Sequence, residues 1–347
     1  MSIPDCMPCR CLEHLFQSKA LLTRRSCVPS EESRFVWGKL LDDSQSRFKL
    51  CQVLAAQGYA LLEVPGSFQE SVRQMQGLAE EFFRRPREER CAVGRLRLYR
   101  DKVVGYREMG GGFARFLEVH ALAGGGAIPN PKVPGLVRLS AELHKSLQAM
   151  ARKLITWLAE HCHVPPEALL QCIDQEGLEN LEDGDCSASV LRLCSYGLEA
   201  CAEEEASHAV FFDEHTDSSF LTLAPVGSAP GLQFRDRDER WLDVESGLAK
   251  GECLVVFVGD FLEVLTKGTY AAARHRVCKD TEGRTQRFSM PFLVRGQPTS
   301  TIDTVPFLKD DIPLLQVEGV RYSEMRQFLD LKGRRRFSGN KLLEKSP

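Results

Sequence analysis

Two histidines and one aspartate have the residue types and the spacing of a metal site. His215 and Asp217 are separated by one residue and stand just before the apolar run 220–223. Residues i and i+2 of an extended strand project from the same face, so we expect this imidazole and this carboxylate to point together. His275, in a later β-type run, is the candidate third ligand. Two imidazoles and one carboxylate leave three positions of an octahedral metal open, as in non-haem Fe(II) oxygenases.

A candidate anion-binding pair lies on the predicted strand that follows His275. Arg287 and Ser289 share one face of this strand, and the alternate face is apolar from Phe288 to Val294. A guanidinium fork presents two parallel donors and a hydroxyl adds a third, which suits a carboxylate at the bottom of a pocket. The pattern therefore predicts an anion site on the same sheet system as the metal ligands.

Short β-rich runs separated by turn residues fill the second half of the chain. They predict a sandwich or barrel, with a double-sheet jelly roll, the double-stranded β-helix, as the natural candidate. The predicted strands are 189–196, 219–223, 231–234, 241–244, 253–258, 272–277 and 287–294.

The first half is predicted to be mainly helical. Helical spacing occurs from about residue 45 to the stop at Gly58, and again over 68–83 and 136–161, with a strand at 59–64. The fold class is therefore α+β. We expect four regions: a partly disordered leader 1–44, a helical region 45–186 that packs on the core, a jelly-roll core 187–300, and a tail 301–347 with a short helix at 323–331.

Charge and length narrow the class of protein. The chain has 347 residues, 43% of them hydrophobic, and 45 Lys and Arg against 48 Asp and Glu, which gives a net charge of −3. This balance favours neither a nucleic-acid nor an anionic membrane surface, and no apolar run is long enough to span a bilayer. We expect a soluble, cytoplasmic monomer that binds a small-molecule substrate.

Thirteen cysteines form an odd set spread along a long chain, which argues against a disulfide framework and for reduced thiols. One tight cluster, Cys6, Cys9, Cys11 and His14, has the residue types of a zinc site. All four residues would come from nine positions at a chain end, so we favour a cysteine-rich leader without zinc.

Taken together, the motifs resemble the isopenicillin N synthase-like 2-oxoglutarate/Fe(II)-dependent dioxygenases. The resemblance covers residues 48–294, and it rests on the order of several motifs. These are Gly58-Tyr59-Ala60-Leu61-Leu62, Glu81-Phe82-Phe83, Gly105-Tyr106, Phe116-Leu117-Glu118, His215-Thr216-Asp217, Gly231-Leu232-Gln233-Phe234, Trp241-Leu242-Asp243-Val244, Gly259-Asp260-Phe261-Leu262, His275-Arg276-Val277 and Arg287-Phe288-Ser289.

The resemblance implies Fe(II), 2-oxoglutarate and O2 as cofactors, allows for ascorbate, and implies oxidation, above all hydroxylation, of a small organic substrate. His215, Asp217 and His275 would bind Fe(II). Arg287, Ser289 and Tyr196 would bind the distal carboxylate of 2-oxoglutarate. Three features depart from the family pattern: Cys194 stands where asparagine is common, Gly197 replaces a proline, and the pair Asp213-Glu214 is unusually acidic.

Two other functions stay open at this point. One is an iron oxidase or cyclase of the same fold that does not use 2-oxoglutarate, and the other is a catalytically silent jelly-roll binding protein. The intact ligand set argues against the second.

Several further positions have weaker predictions. Asp243 and Glu245 are predicted to face solvent, and Gly110-Gly111-Gly112 is a candidate flap. Four histidines are expected to have no catalytic role: His120, His144, His161 and His163. Five residues are candidates for the substrate side of the pocket: Arg107, Phe113, Arg115, Phe211 and Phe212.

Overall fold

A computed structural model describes most of the chain. The described residues are 31–93, 97–99, 102–109, 114–179, 181–197, 210–249, 251–279, 286–302 and 320–321. Four predictions lie outside them: the cysteine cluster 6–14, the glycine run 110–112, Phe113 and the tail helix 323–331.

Seven α-helices and one short 3-10 helix, Glu31–Ser33, occur in the described part of the chain. The α-helices are α1 Trp37–Asp42, α2 Ser44–Gln57, α3 Gly66–Arg84, α4 Arg87–Ala92, α5 Leu136–His161, α6 Glu167–Leu170 and α7 Asp260–Leu265. The predicted helices at 68–83 and 136–161 are confirmed as α3 and α5. No helix among the described residues is long and apolar enough to cross a bilayer.

Seventeen strands are distributed over the same ranges. In chain order they are β1 Arg34–Val36, β2 Tyr59–Glu63, β3 Arg97–Tyr99, β4 Lys102–Met109, β5 Ala114–Ala121, β6 Ala127–Ile128, β7 Val190–Tyr196, β8 Val210–His215, β9 Leu221–Pro225, β10 Leu232–Arg235, β11 Trp241–Asp243, β12 Cys253–Val258, β13 His275–Cys278, β14 Arg287–Ser289, β15 Phe292–Leu293, β16 Thr301–Ile302 and β17 Val320–Arg321.

The strands form a large sheet that faces a small one. The large sheet has the order β1-β2-β12-β9-β15-β7-β5-β4-β3, with β14 also paired to β7 and β6 paired to β5; the small sheet has the order β11-β10-β13-β8. One face of the large sheet packs against helices α3 and α5, and the other faces the small sheet across a second apolar cluster. This double-sheet arrangement is the predicted jelly roll.

The junction of α2 and β2 shows how the sequence sets an element boundary. Gly58 ends α2 in the left-handed conformation with φ of 81°, and its N–H donates to the carbonyl of Leu54. A Cβ at this position would also lie 3.1 Å from the carbonyl oxygen of Ala271. Only glycine meets both conditions without strain, so the chain turns here into β2.

The first half contains more strand than its periodicity predicts. All eight residues of β5 are buried, including Arg115, Glu118 and His120. These polar side chains have buried partners: Arg115 donates to Ser195, and Glu118 accepts from Arg192. Charged residues at buried positions remove the alternation that would have indicated a strand.

The predicted leader 1–44 overlaps the described residues only from 31 onward. There Phe35, Trp37 and Leu40 are buried in the main core, and β1 pairs in parallel with β2. The positions 31–44 therefore belong to the packed fold, because their apolar side chains are covered by it. The division of the chain into four regions stays a prediction.

Candidate active site

The three predicted metal ligands meet at one point between the sheets. His215 ends β8 and His275 begins β13, and the two residues are paired across these strands. The Oδ1 atom of Asp217 lies 3.8 Å from Nε2 of His215 and 4.0 Å from Nε2 of His275. One ligand atom from each residue lies within 4.8 Å of the other two. This is a compact set of two imidazoles and one carboxylate.

The local reason for this convergence differs from the prediction. We expected His215 and Asp217 to share one face of a continuous strand. Instead, His215 is the last residue of β8 in the small sheet, and Asp217 lies in the connection to β9 in the large sheet. The two side chains approach because the chain turns from one sheet to the other at this point, and strand alternation has no part in it.

Hydrogen bonds leave the inner atoms of the triad free for a cation. The Nδ1 atoms of His215 and His275 lie 2.8 and 3.0 Å from the carbonyl oxygens of Asp213 and Ala273. A carbonyl only accepts, so we assign a proton to Nδ1 in both rings, and in a neutral imidazole Nε2 then carries a lone pair. Such outer contacts orient histidine ligands in metal sites.

The protonation states also suit a divalent ion. Burial and the neighbouring His275 lower the pKa of His215 to about 3. Burial alone would raise the pKa of Asp217, but the two imidazoles and a hydrogen bond from Thr222 lower it overall. The hydroxyl of Thr222 donates to Oδ2 of Asp217 at 2.6 Å, which leaves Oδ1 directed at the imidazoles. The neutral imidazole of His215 and the ionised carboxylate of Asp217 can therefore bind a cation at neutral pH.

Arg287 lies in the same cavity and is buried, with 4% of its surface exposed. Its Nη2 atom lies 2.9 and 3.0 Å from the two carboxylate oxygens of Glu245, and its Nε donates to the carbonyl of Ala229 at 3.1 Å. Within the described residues, Nη1 of Arg287 is buried and has no hydrogen-bond partner. One donor of a charged, buried guanidinium is therefore available to an anion.

Glu245 corrects the prediction that this position faces solvent. It is 1% exposed and accepts hydrogen bonds from the backbone N–H groups of Gly227 and Leu232 as well as from Arg287. Its carboxylate thus has both oxygens occupied. No signal in the sequence pairs a glutamate with an arginine 42 residues away, so the counter-charge of Arg287 could only be found in the tertiary structure.

The remaining predicted 2-oxoglutarate ligands line the same cavity. Tyr196 is paired with Arg287 between β7 and β14, and its ring centre lies 5.8 Å from Cζ of Arg287. Burial holds the pKa of Tyr196 well above its usual value, so its hydroxyl stays protonated. Ser289 and Cys194 are also in the lining, and burial raises the pKa of the Cys194 thiol to about 11.

The candidates for the substrate side divide into two groups. Phe212 lines the cavity, together with Phe116 and Arg192, which we had not assigned to it. Phe211 is buried beside Tyr196, with ring centres 6.0 Å apart. Arg115 is directed elsewhere, because its guanidinium lies over the ring of Phe83.

A closed ring of charges links the strand ends behind the two histidines. Glu214 accepts from Nη1 of Arg235 at 2.7 Å and from Nε of Arg274 at 2.6 Å. Glu239 contacts the same two arginines, at 2.6 Å from Nη2 of Arg235 and 2.8 Å from Nη1 of Arg274. Because Glu214 precedes His215 and Arg274 precedes His275, this ring joins the backbone next to both imidazoles.

Comparisons with known proteins identify relatives of this chain. A model of the 2OG-Fe(II) oxygenase superfamily matches residues 187–296. The chain is 26% identical to gibberellin 2-beta-dioxygenase 4 of Arabidopsis thaliana over 278 residues, which is 75% of this chain and 79% of that protein. It is 30% identical to gibberellin 2-beta-dioxygenase 2 of the same plant over 172 residues, 49% of this chain and only 46% of that relative.

Solved structures share the fold. A 2OG-Fe(II) oxygenase family protein from Caulobacter crescentus superimposes with a TM-score of 0.69 at 21% identity, over 89% of this chain and 100% of that one. A full-length Neurospora crassa protein, solved in complex with alpha-KG and 5-formyluracil, has a TM-score of 0.70 at 16% identity, over 88% and 99% of the two chains. Together these likenesses support the 2OG-Fe(II) oxygenase superfamily for this chain; members of that superfamily are oxidoreductases that use Fe(II), 2-oxoglutarate and O2.

Proposed function

We propose that this protein is an Fe(II)- and 2-oxoglutarate-dependent dioxygenase that hydroxylates a small organic molecule. The observation that carries the proposal is the coexistence, in one cavity, of three convergent free ligand atoms and one unpartnered buried guanidinium nitrogen within the described residues. The first feature suits a divalent cation, and the second suits a carboxylate. A dioxygenase of this class requires both.

In this proposal each side chain has a distinct task. His215, Asp217 and His275 hold Fe(II), and Arg287 with Ser289 and the Tyr196 hydroxyl binds the distal carboxylate of 2-oxoglutarate. The chemistry that bound Fe(II) supplies is O2 activation coupled to decarboxylation of 2-oxoglutarate, which releases succinate and CO2 and oxidises a C–H bond. The carboxylate of Asp217 neutralises part of the cation's charge, and Glu245 balances Arg287.

Supporting this assignment, the cavity between the sheets is walled by apolar and aromatic side chains. Phe116, Phe212 and Phe257 line it together with the polar groups. Such walls exclude water from the oxidation site and offer apolar surface to an organic substrate. We extend the proposal to the domain division, with residues 187–300 as the catalytic core and 45–186 as the helical region that packs on it.

The experiment that tests the function measures succinate formed from 2-oxoglutarate by the iron-loaded protein under air. His215→Ala and Asp217→Ala should each abolish iron-dependent succinate formation, because each removes one metal ligand. Asp238→Ala is the control, since this aspartate is 71% exposed in a surface turn. Far-UV circular dichroism should be unchanged in all three variants.

Retained turnover in both ligand variants would contradict the assignment. The alternative without 2-oxoglutarate predicts substrate oxidation with no succinate, so succinate measured per oxidised substrate distinguishes the two reactions. The substrate itself is to be sought in cell extract supplied with iron and 2-oxoglutarate, as the metabolite that gains one oxygen atom.

A further inference from the structure

A second cationic side chain, Arg192 on β7, lines the cavity near the metal triad. Only 15% of its side chain is exposed, and its Nε donates to Oε1 of Glu118 at 2.9 Å. Within the described residues Nε is the only side-chain nitrogen of Arg192 that makes a hydrogen bond, so both terminal nitrogens remain available.

Glu118 does not neutralise this region. The same Oε1 atom that accepts from Arg192 lies 3.9 Å from Nη2 of Arg107, so two guanidinium groups share one carboxylate. Glu118 is 3% exposed, and its pKa is lowered because Arg192, Arg295 and Arg107 outweigh its burial. Burial and the neighbouring Arg192 lower the pKa of Arg107. Arg192, Arg107 and the ionised Glu118 thus carry one net positive charge at the cavity wall.

An aromatic surface adjoins the two guanidinium groups. The ring of Phe116 lies 4.9 Å from Cζ of Arg107 and 6.0 Å from Cζ of Arg192. The edge of Phe212 meets the same ring at 5.8 Å, and Phe212 contacts the imidazole of His215 at 4.5 Å between ring centres. A ligand at this position would meet a cation, an apolar wall and the metal centre in succession.

These features describe a subsite different from the anion site at Arg287. Arg287 carries its own counter-ion, Glu245, and keeps one nitrogen, Nη1, for the co-substrate. Arg192 has two terminal nitrogens available, and the group formed by Arg192, Arg107 and Glu118 has an excess of one positive charge. A planar guanidinium fork with this single excess charge matches one carboxylate.

Resting on the proposed function, we propose that Arg192 binds the carboxylate of the oxidised substrate. The substrate is then a small organic acid with an apolar body that packs on Phe116 and Phe212, and its reacting carbon is held next to the metal triad. The 2-oxo acid carries carboxylates of its own, and the experiment separates that source from the substrate.

The test uses the full-length protein with Mn(II) in place of Fe(II) and saturating 2-oxoglutarate. The probes are phenylacetate and phenylacetamide, which differ only in the charged group. Binding is measured from the broadening of the probe's proton resonances by the bound Mn(II). We expect phenylacetate to bind about 10-fold or more tightly than the amide, because a charge-assisted pair is made only with the acid. Arg192→Met should abolish that preference.

Two further variants protect the test against misfolding. Arg192→Met leaves Glu118 buried beside a neutral side chain, so the double variant Arg192→Met/Glu118→Gln removes both charges and should lose the preference equally. Arg138→Met is the control, because this arginine is 72% exposed on α5 and should leave both affinities unchanged.

Each outcome decides the matter. Equal affinities for acid and amide in the native protein, or a preference that survives in both Arg192 variants, would overturn the inference. The inference also fails if Arg192→Met weakens 2-oxoglutarate binding about 10-fold while the acid preference persists, since Arg192 would then serve the co-substrate. Failure to bind Mn(II) and 2-oxoglutarate at all would instead overturn the proposed function.

Discussion

The two ends of the cavity differ in the kind of hydrogen-bonding group that is left without a partner among the described residues. At the triad end, the outer atoms of His215 and His275 are bound to backbone carbonyls and the inner atoms are left for a cation. At the other end, Arg287 is already paired with Glu245, and one nitrogen is left over within the described residues. The triad therefore has unused acceptors that converge, whereas the arginine has one unused donor and a built-in counter-charge.

The two ends also differ in what keeps their buried groups stable before a ligand binds. A neutral imidazole can be buried at modest cost when one of its nitrogens is hydrogen-bonded, and the ionised carboxylate of Asp217 accepts a hydrogen bond from Thr222. A guanidinium cannot lose its charge, and an isolated buried charge costs several kcal/mol. That cost is a large part of the free energy of unfolding of a typical domain. Glu245 is the residue that makes an arginine possible at this position.

The largest expected effect comes from removing that counter-charge. Glu245→Gln leaves Arg287 as an unpaired buried cation and should lower the free energy of unfolding by about 3 kcal/mol, because breaking a buried pair exposes the full desolvation cost of the partner. Urea unfolding of the metal-free protein measures this change. The control is Glu142→Gln, whose partner Arg138 is exposed, and for which we expect less than about 1 kcal/mol.

A double variant that also removes Arg287 tests whether Glu245 stabilises the protein only as a counter-ion. If Glu245 acts only as the counter-ion, the double variant Glu245→Gln/Arg287→Met should recover much of the lost stability. An additive loss in the double variant would contradict the pairing argument and would assign the effect to the backbone N–H groups of Gly227 and Leu232.

A smaller effect is expected from the hydroxyl that orients Asp217. Thr222→Val preserves the shape of a fully buried side chain but removes the 2.6 Å hydrogen bond to Oδ2 of Asp217. We expect the Mn(II) dissociation constant to rise about 10-fold, as when other partners of metal ligands are removed. Thr156→Val on α5 is the control. It removes a hydroxyl that donates to the backbone carbonyl of Arg152, and it should leave Mn(II) affinity unchanged. Unchanged affinity in Thr222→Val would show that the carboxylate is oriented without this contact.

The smallest effect is expected from the charged ring behind the histidines. The β8–β13 ladder is irregular between His275 and Val277, so the ring formed by Glu214, Arg235, Glu239 and Arg274 adds a second tie between the strand ends. Glu214→Gln and Arg274→Met should each raise the Mn(II) dissociation constant about 3-fold, since partly exposed ion pairs contribute up to about 1 kcal/mol.

A double-mutant cycle distinguishes the specific contact between Glu214 and Arg274 from a general loss of charge. The effects of Glu214→Gln and Arg274→Met should be less than additive, because both break the same contact. Arg240→Met, in the exposed turn between β10 and β11, breaks a surface pair and is the matched control. Additive effects, or an equal effect of the control, would contradict a positioning role.

Much of the fold could be predicted from local pattern. The helices α3 and α5 and the strand β2 follow from apolar periodicity and from the stop at Gly58, which are properties of neighbouring residues. The alternation in 287–294 was also predictable: Arg287 and Ser289 line the cavity, whereas Phe288 and Met290 lie in the main core. The strand β5 was not predictable, because its buried charges depend on partners far away in sequence.

The candidate site was predictable in its residue types but not in its electrostatics. The ordered motifs were enough to single out His215, Asp217, His275 and Arg287, since metal and anion chemistry restricts the side chains that can serve. The role of Glu245 and the proposed role of Arg192 were missed, because an acid or a base in or next to a short strand has the same local pattern whether it is solvated or buried.

The order of amino acids specifies which groups are available: two imidazoles, two kinds of carboxylate and several arginines, with the local signals that form strands and helices around them. The packing of the two sheets specifies which charges are compensated inside the protein and which are left for a ligand. The reason is the distance along the chain over which each kind of interaction acts. Periodicity and turn chemistry act over a few residues, whereas burial and charge pairing depend on distances that the chain establishes only when its two sheets close on one another.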